Sequence, residues 1–113
     1  MQYLFCAWAK LEKKLKQAKY ILLCLDFDGT LTPIKPKPAL AKLGAERRLL
    51  LAGLVGSRDC LVAIISGRSL KDLKSKISLN GLVLAGNHGL EISYGKKKFI
   101  YPQAKRYVLE ISR

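Results

Sequence analysis

The sequence predicts an α/β fold, and three observations lead to that class. Two continuous apolar runs, Ile21 to Leu25 and Leu61 to Ile65, are typical of strands buried on both faces of a parallel sheet. A helical apolar period lies between these runs, and another follows the second run. Strands that alternate with helices at this spacing form right-handed βαβ units, which place helices on the two faces of a sheet. We therefore expect a Rossmann-like, three-layer αβα sheet.

The first predicted element is an amphipathic helix within residues 1–20. Its lysines lie off an apolar stripe with spacings of four and three, formed by Leu4, Trp8, Leu11, Leu15 and Ala18. A helix on a membrane surface has a similar pattern, but this stripe leads within two residues into a core strand. We expect the helix to pack on the core.

The next elements follow from turn and cap residues. Three prolines in the segment 33–38 hold the chain extended after the first strand. A second helical period runs from Leu40 to Leu54 and ends at Gly56. Ser69 and Asp72 fit the capping signature of a third helix, which is expected to stop near residues 80–81. The run 82–85 then predicts a third strand.

The pattern changes after His88. Two short β-like runs, Leu90 to Tyr94 and Lys98 to Tyr101, flank a turn at Gly95 and predict an antiparallel hairpin. Pro102 can occupy the first turn of a last helix.

Composition excludes several classes of protein. The net charge is +13, but the positive residues are spread along the chain, which argues against a nucleic-acid-binding face. The chain has no apolar run of eighteen residues and no signal-peptide pattern, so we expect a cytoplasmic protein that does not bind membranes. Cys6, Cys24 and Cys60 show no metal-ligand spacing and are expected to be reduced, buried thiols.

The polar residues of greatest interest follow the three predicted strands. The first strand ends in Asp26-Phe27-Asp28-Gly29-Thr30, the second in Ser66-Gly67-Arg68 and the third in Gly86-Asn87-His88-Gly89. In open parallel sheets, ligands bind outside the carboxyl ends of the strands. The sequence therefore predicts one site at this edge.

Asp26 and Asp28 suit both metal binding and covalent catalysis. Carboxylate and carbonyl oxygens from such a pair can bind Mg²⁺. Asp26 can attack phosphorus, while Asp28 donates a proton to the leaving alcohol, which requires surroundings that raise its pKa. An isolated Asp-Gly pair is also ordinary turn chemistry, but here it directly follows a buried strand.

The remaining residues suit phosphate binding. The amides of Gly29 and Thr30 can donate to phosphate oxygens, as can the hydroxyl of Ser66 next to Gly67. Arg68 can act as a two-pronged clamp for an anion. Together these residues predict a site for phosphoryl transfer.

Two strings carry a resemblance to a known superfamily. LDFDGTLTPI, residues 25–34, resembles the first motif of the haloacid dehalogenase-like phosphatases, and IISGR, residues 64–68, is similar to their second motif. The resemblance implies Asp26 as nucleophile, Asp28 as general acid/base and Ser66 as a phosphate-binding residue.

A third string narrows the resemblance. AGNHGLE, residues 85–91, together with the first two strings resembles the trehalose-6-phosphate phosphatases, in which such a stretch lies near the sugar. The resemblance implies that Asn87, His88 and Glu91 bind substrate beside Arg68. From the residue types alone, Asn87 can equally form only a turn, and His88 can be an ordinary hydrogen-bonding residue.

The chain also departs from the superfamily's pattern. No Asp follows Asp72, and Lys96 to Lys98 lie in a turn, so the acidic pair and the lysine of the later motifs have no counterpart. We therefore divide the chain into the helix in 1–20, an incomplete catalytic core in 21–92, and in 93–113 a hairpin and helix leading toward a missing cap domain. The fragment alone is expected to be inactive.

The function implied by the resemblance is hydrolysis of trehalose 6-phosphate with Mg²⁺ through an aspartyl-phosphate at Asp26. Two alternatives stay open: a phosphatase or phosphomutase for another sugar phosphate, and a non-catalytic module that binds anions or a partner. The sequence leaves the oligomeric state undetermined.

Overall fold

The computed structural model describes residues 3–111, which form a single five-stranded sheet flanked by helices. The strands are β1 (Ile21–Asp26), β2 (Cys60–Ile65), β3 (Val83–Gly86), β4 (Glu91–Tyr94) and β5 (Lys97–Ile100), and they lie in that order across the sheet. The helices are α1 (Trp8–Gln17), α2 (Ala45–Val55), α3 (Leu70–Ile77) and α4 (Pro102–Ile111). Strands β1 to β3 are parallel, and β4 and β5 continue the sheet antiparallel. The α/β class and the hairpin are confirmed.

Two predicted helix boundaries shift for local reasons. Helix α2 begins at Ala45 rather than Leu40, because Gly44 before it is extended and the preceding segment packs Ala41 and Leu43 into the core. Helix α3 ends at Ile77, since Ser78 adopts a left-handed conformation with φ of 45°. Pro102 opens α4 as predicted.

Helices α2 and α3 pack on the same face of the sheet. One core cluster joins Leu51 of α2 and Leu73 of α3 with Val62, Ile64 and Leu84 of the strands. Two successive right-handed crossovers that move in one direction across a sheet place both helices on one side. The prediction that these helices lie on the two faces is therefore wrong.

The other face of the sheet is apolar and exposed. Strand pairing places on this face six exposed side chains, here called the open face: Leu22, Cys24, Leu61, Ile65, Tyr94 and Phe99. Leu22 is 63% exposed, and exposure alternates along the whole of β1. The expectation that β1 and β2 are buried on both faces is wrong for the described residues, and so is the expectation of a buried thiol at Cys24.

The N-terminal helix forms, but the structure does not place it on the core. No residue of α1 is buried, and Trp8 is 47% exposed. Cys6, just before the helix, is exposed as well, and Cys60 is partly buried. Residues 1–2 and 112–113, at the outer ends of the predicted units 1–20 and 93–113, lie outside the described residues. None of the helices within residues 3–111 has the length and apolar character that a bilayer crossing requires.

Candidate functional site

The pairing register brings the three predicted strand ends together. Asp26 at the end of β1 lies beside Ile65 of β2, which lies beside Ala85 of β3. The polar segments that follow these three residues therefore leave the sheet at one edge. This placement is what the sequence predicted from the parallel order of the strands.

The loop after β1 folds into a tight turn around the end of the strand. Thr30 donates from its hydroxyl to Asp26 Oδ2 at 3.3 Å, and Gly29 adopts a φ of +83° that L side chains rarely reach. The Gly29 amide donates to the Thr32 carbonyl at 2.8 Å. The expectation that this amide donates to phosphate is therefore wrong in this conformation, and Gly29 instead shapes the turn that presents the two carboxylates.

Arg68 is the most highly connected side chain of the site. Its Nε donates to Asp28 Oδ2 at 2.8 Å, and its Nη2 donates to Asp28 Oδ1 at 2.6 Å and to the Pro38 carbonyl at 2.7 Å. Its Nη1 donates to Asp72 Oδ2 at 2.7 Å. The guanidinium also lies over the Phe27 ring, 5.5 Å from the centroid. Four of its five N–H donors are thus engaged within the protein.

These contacts reverse the expected electrostatics of Asp28. The hydrogen bonds from Arg68 lower the pKa of Asp28, and their effect exceeds that of partial burial, which acts in the opposite direction. The pKa of Arg68 is correspondingly raised, chiefly by its bonds to Asp28. The sequence analysis required a raised pKa at Asp28, so in this conformation the residue is an ionised carboxylate rather than a proton donor.

Ser66 and Gly67 form a compact turn between β2 and α3. Ser66 is buried, and its Oγ accepts a hydrogen bond from the Arg68 amide at 3.2 Å. A Cβ on Gly67 would lie 2.7 Å from Cε1 and 2.8 Å from Nε2 of His88. The imidazole therefore lies directly against the Gly67 backbone, where a Cβ would displace it.

The segment after β3 is held against this turn by backbone hydrogen bonds. The Asn87 amide donates to the Arg68 carbonyl at 2.7 Å, and the His88 amide donates to the Ser66 carbonyl at 3.0 Å. Asn87 and His88 both have positive φ, 49° and 56°. His88 is exposed, whereas Asn87 and Glu91 are partly buried. The structure thus places the predicted sugar-binding segment beside the predicted phosphate-binding segment.

A cavity of about 350 Å³ lies next to the loop after β1, which carries Asp28. It is lined in part by Asp28, Lys35, Pro38, Gly67 and Arg68. A larger cavity of about 460 Å³ lies near the amino end of β3 and contains none of the predicted site residues. We associate function with the smaller cavity because two of the three converging polar segments, those after β1 and β2, contribute to its lining.

Sequence reasoning missed two contributors to the site. Asp72 was identified only as a cap residue, although its spacing of four from Arg68 is one at which opposite charges meet on helices. The proline segment was identified only as a loop, yet Arg68 binds the Pro38 carbonyl, and Lys76 donates to the carbonyls of Ala39 and Ala41. A backbone acceptor in a loop leaves no signal in a sequence.

Most of this chain matches a known protein family and several relatives in sequence. The family model for trehalose-phosphatase matches residues 24–111. A probable trehalose-phosphate phosphatase D of Arabidopsis thaliana is 35% identical over 82 residues, which are 73% of this chain and 22% of that protein. An uncharacterized glycosyl hydrolase of Mycobacterium tuberculosis is 40% identical over 80 residues, which are 71% of this chain and 6% of that protein.

A solved structure shares the fold. The C-terminal domain of the C. albicans trehalose-6-phosphate phosphatase matches with a TM-score of 0.77 and 25% identity, over 91% of this chain and 38% of that chain. Across eight relatives compared by sequence, this chain spans between 6% and 25% of their length.

Proposed function

Because this chain belongs to the trehalose-phosphatase family, we propose that it carries the phosphoryl-transfer half of a phosphatase that converts trehalose 6-phosphate to trehalose and phosphate. The observation that supports this most directly is the convergence of the three strand ends. It sets Asp26 and Asp28 beside Ser66, Gly67 and the segment after β3.

Asp26 is the proposed nucleophile. Its carboxylate lies at the end of β1, is exposed, and has the Thr30 hydroxyl on Oδ2, which leaves Oδ1 for attack on phosphorus. A bond then forms between the carboxylate and phosphorus while the bond from phosphorus to the sugar oxygen breaks. Water subsequently releases phosphate and restores the free carboxylate.

Asp28 is the proposed general acid and base. As an ionised carboxylate held by Arg68, it is ready to take a proton from water in the second step. To protonate the leaving sugar oxygen in the first step, it must carry a proton itself. The bidentate contact with Arg68 opposes that proton, so we propose that this contact loosens when substrate binds.

Phosphate binding is assigned to the turn residues. The amides of Thr30 and Gly67 and the hydroxyl of Ser66 provide donors at the edge of the sheet, and Arg68 lies next to them. Asn87, His88 and Glu91 follow at the neighbouring strand end and are proposed to bind sugar hydroxyls. A small-molecule sugar phosphate is therefore the proposed ligand.

Mg²⁺ is the proposed cofactor, and the donor set fits it in part. The Asp26 carboxylate and the Asp28 backbone carbonyl are oxygen donors of the kind that Mg²⁺ prefers. Among residues 3–111 no group of three or more histidine, cysteine or acidic side chains is placed to hold a metal. When bound, the ion would offset charge on the phosphate.

The experiment that tests the proposal joins residues 1–113 to the part of the Arabidopsis relative that follows its matched region. We expect phosphate release from trehalose 6-phosphate by the chimera, loss of that activity in Asp26→Asn, and no loss in the matched control Asp59→Asn. The 113-residue chain alone should show negligible turnover. Phosphate trapped on a residue other than Asp26, or faster turnover of another sugar phosphate, contradicts the corresponding part of the proposal.

A second experiment tests the sugar site on one variant with two substrates. In the chimera, Glu91→Ala should lower activity on trehalose 6-phosphate. The expected loss corresponds to about 1 to 3 kcal/mol of binding free energy, the cost of a lost hydrogen bond to a buried group. Activity on an aryl phosphate, which offers no such hydroxyls, should change little. Equal loss on both substrates in a folded variant assigns Glu91 a structural or catalytic role instead.

A further inference from the structure

Arg68 is a largely buried cation, so its guanidinium needs hydrogen-bond acceptors within the protein. Its side chain is only 10% exposed, and its backbone lies in the turn that precedes α3. A guanidinium removed from water to this extent is stable only when its charge and donors are matched by acceptors. Asp28 supplies one carboxylate from the loop after β1, and Asp72 supplies the second.

The Asp72 carboxylate binds Arg68 in place of the usual helix-capping contact. In the capping pattern, an acidic residue at this position of a helix reaches back to the backbone N–H of the cap residue. Here the Ser69 hydroxyl does accept from the Asp72 amide at 3.2 Å, but the Asp72 carboxylate instead accepts from Arg68 Nη1 at 2.7 Å. The helix thus keeps the bond from the Asp72 amide to the Ser69 hydroxyl, while the Asp72 carboxylate, which would complete the capping box, binds Arg68.

From this geometry we infer that Asp72 is a positioning residue, which fixes the Arg68 guanidinium at the phosphate site from the side opposite Asp28. Asp72 lies on α3, whose residues Leu70, Leu73 and Ile77 are fully packed in the core, so it is a rigid support. The contact leaves Asp28 free to move without releasing Arg68. The inference rests on the proposed function, since it gives the guanidinium a purpose at that site.

Positioning and simple electrostatics predict opposite effects on phosphate binding. Asp72 is a negative charge close to the site, so its removal should tighten binding of an anion if only its charge matters. If Asp72 holds Arg68 in place, its removal leaves the guanidinium on Pro38 and on Asp28, whose contact is proposed to loosen when substrate binds. The side chain must then be ordered on binding, and affinity falls. Inorganic phosphate is a sufficient probe for the 113-residue chain.

The test compares Asp72→Ala with three further variants. Asp72→Glu keeps the carboxylate, Asp59→Ala removes one carboxylate elsewhere, and Ser69→Ala removes the helix cap while leaving the contact between Asp72 and Arg68. Two quantities are measured by NMR: the rate of rotation about the Nε–Cζ bond of Arg68, and phosphate affinity from the amide shifts of Gly67 and Thr30.

We expect Asp72→Ala to accelerate the rotation by about tenfold to a hundredfold, because rotation no longer breaks the charge-assisted hydrogen bond to Asp72 and breaks only the bonds of Nη2 to Asp28 and Pro38. Phosphate affinity should fall by about twofold to tenfold, the ordering penalty of one long side chain. Asp72→Glu should restore most of both quantities, and Asp59→Ala and Ser69→Ala should change neither.

Three results overturn the inference: unchanged rotation in Asp72→Ala, unchanged or tighter phosphate binding in that variant, or equal effects from Ser69→Ala, which would make Asp72 a cap only. Absence of phosphate-dependent shifts in the unmodified chain contradicts the phosphate site of the proposed function. Even then, the rotation rate alone decides whether Asp72 holds Arg68.

Discussion

Gly86 is a position at which a single methyl group should be strongly disruptive. It ends β3, and a Cβ built there would lie 2.5 Å from the Leu70 amide nitrogen, 2.8 Å from the Leu70 Cα and 2.9 Å from the Arg68 carbonyl oxygen. All three are backbone atoms, so no side-chain rotation relieves the contact. Gly86→Ala must therefore push the start of α3 away from the end of β3.

The expected loss follows from what that movement breaks. The Asn87 amide donates to the Arg68 carbonyl at 2.7 Å across this contact. Overpacking of a rigid site costs about 1 to 3 kcal/mol, and a lost hydrogen bond adds about 1 kcal/mol. We therefore expect the free energy of unfolding to fall by about 2 to 4 kcal/mol.

The assay is urea denaturation of the 113-residue chain, with Gly53→Ala as the matched control. Gly53 lies within α2, and a Cβ there meets nothing within 4 Å. The same substitution should therefore stabilise the protein by about 0.5 to 1 kcal/mol, since alanine favours a helix interior over glycine. A stability within about 0.5 kcal/mol of the unmodified chain for Gly86→Ala would falsify the close contact.

Three further outcomes are expected. The pKa of Asp28 is lowered in the folded state, so its contribution to stability is present above its unfolded pKa and is lost as the pH falls through its folded pKa. Asp28→Asn should therefore destabilise the chain near pH 7 but not at strongly acidic pH. Urea denaturation at the two pH values measures this difference. A constant difference across pH would contradict this. Ser69→Ala should cost about 1 kcal/mol through loss of the cap, read from the same urea curves, whereas an unchanged midpoint would mean that the cap contributes nothing. Polar substitutions of Leu22 and Phe99 on the open face should reduce binding of a hydrophobic dye without lowering stability, and undiminished dye binding would show that this face is not what the dye detects.

Local pattern determined much of this protein. Short continuous apolar runs indicated the strands and period-3.6 hydrophobicity indicated the helices, because a packed element must present apolar residues to the core. Ser69 specified the start of α3, and Pro102 that of α4, since caps and prolines act on their own backbone. The parallel order of β1 to β3 then required Asp26, Ser66 and the segment after Gly86 to meet at one edge.

Only the tertiary structure decided how the charges at that edge are paired. The contact between Asp28 and Arg68 joins residues forty positions apart, and it reverses the pKa shift that the chemistry of a proton donor suggested. The placement of α2 and α3 on one face, the open face opposite them and the exposed stripe of α1 also depend on how whole elements pack. An apolar run shows that a strand can be buried, but what covers each face depends on the partners that the fold brings to it.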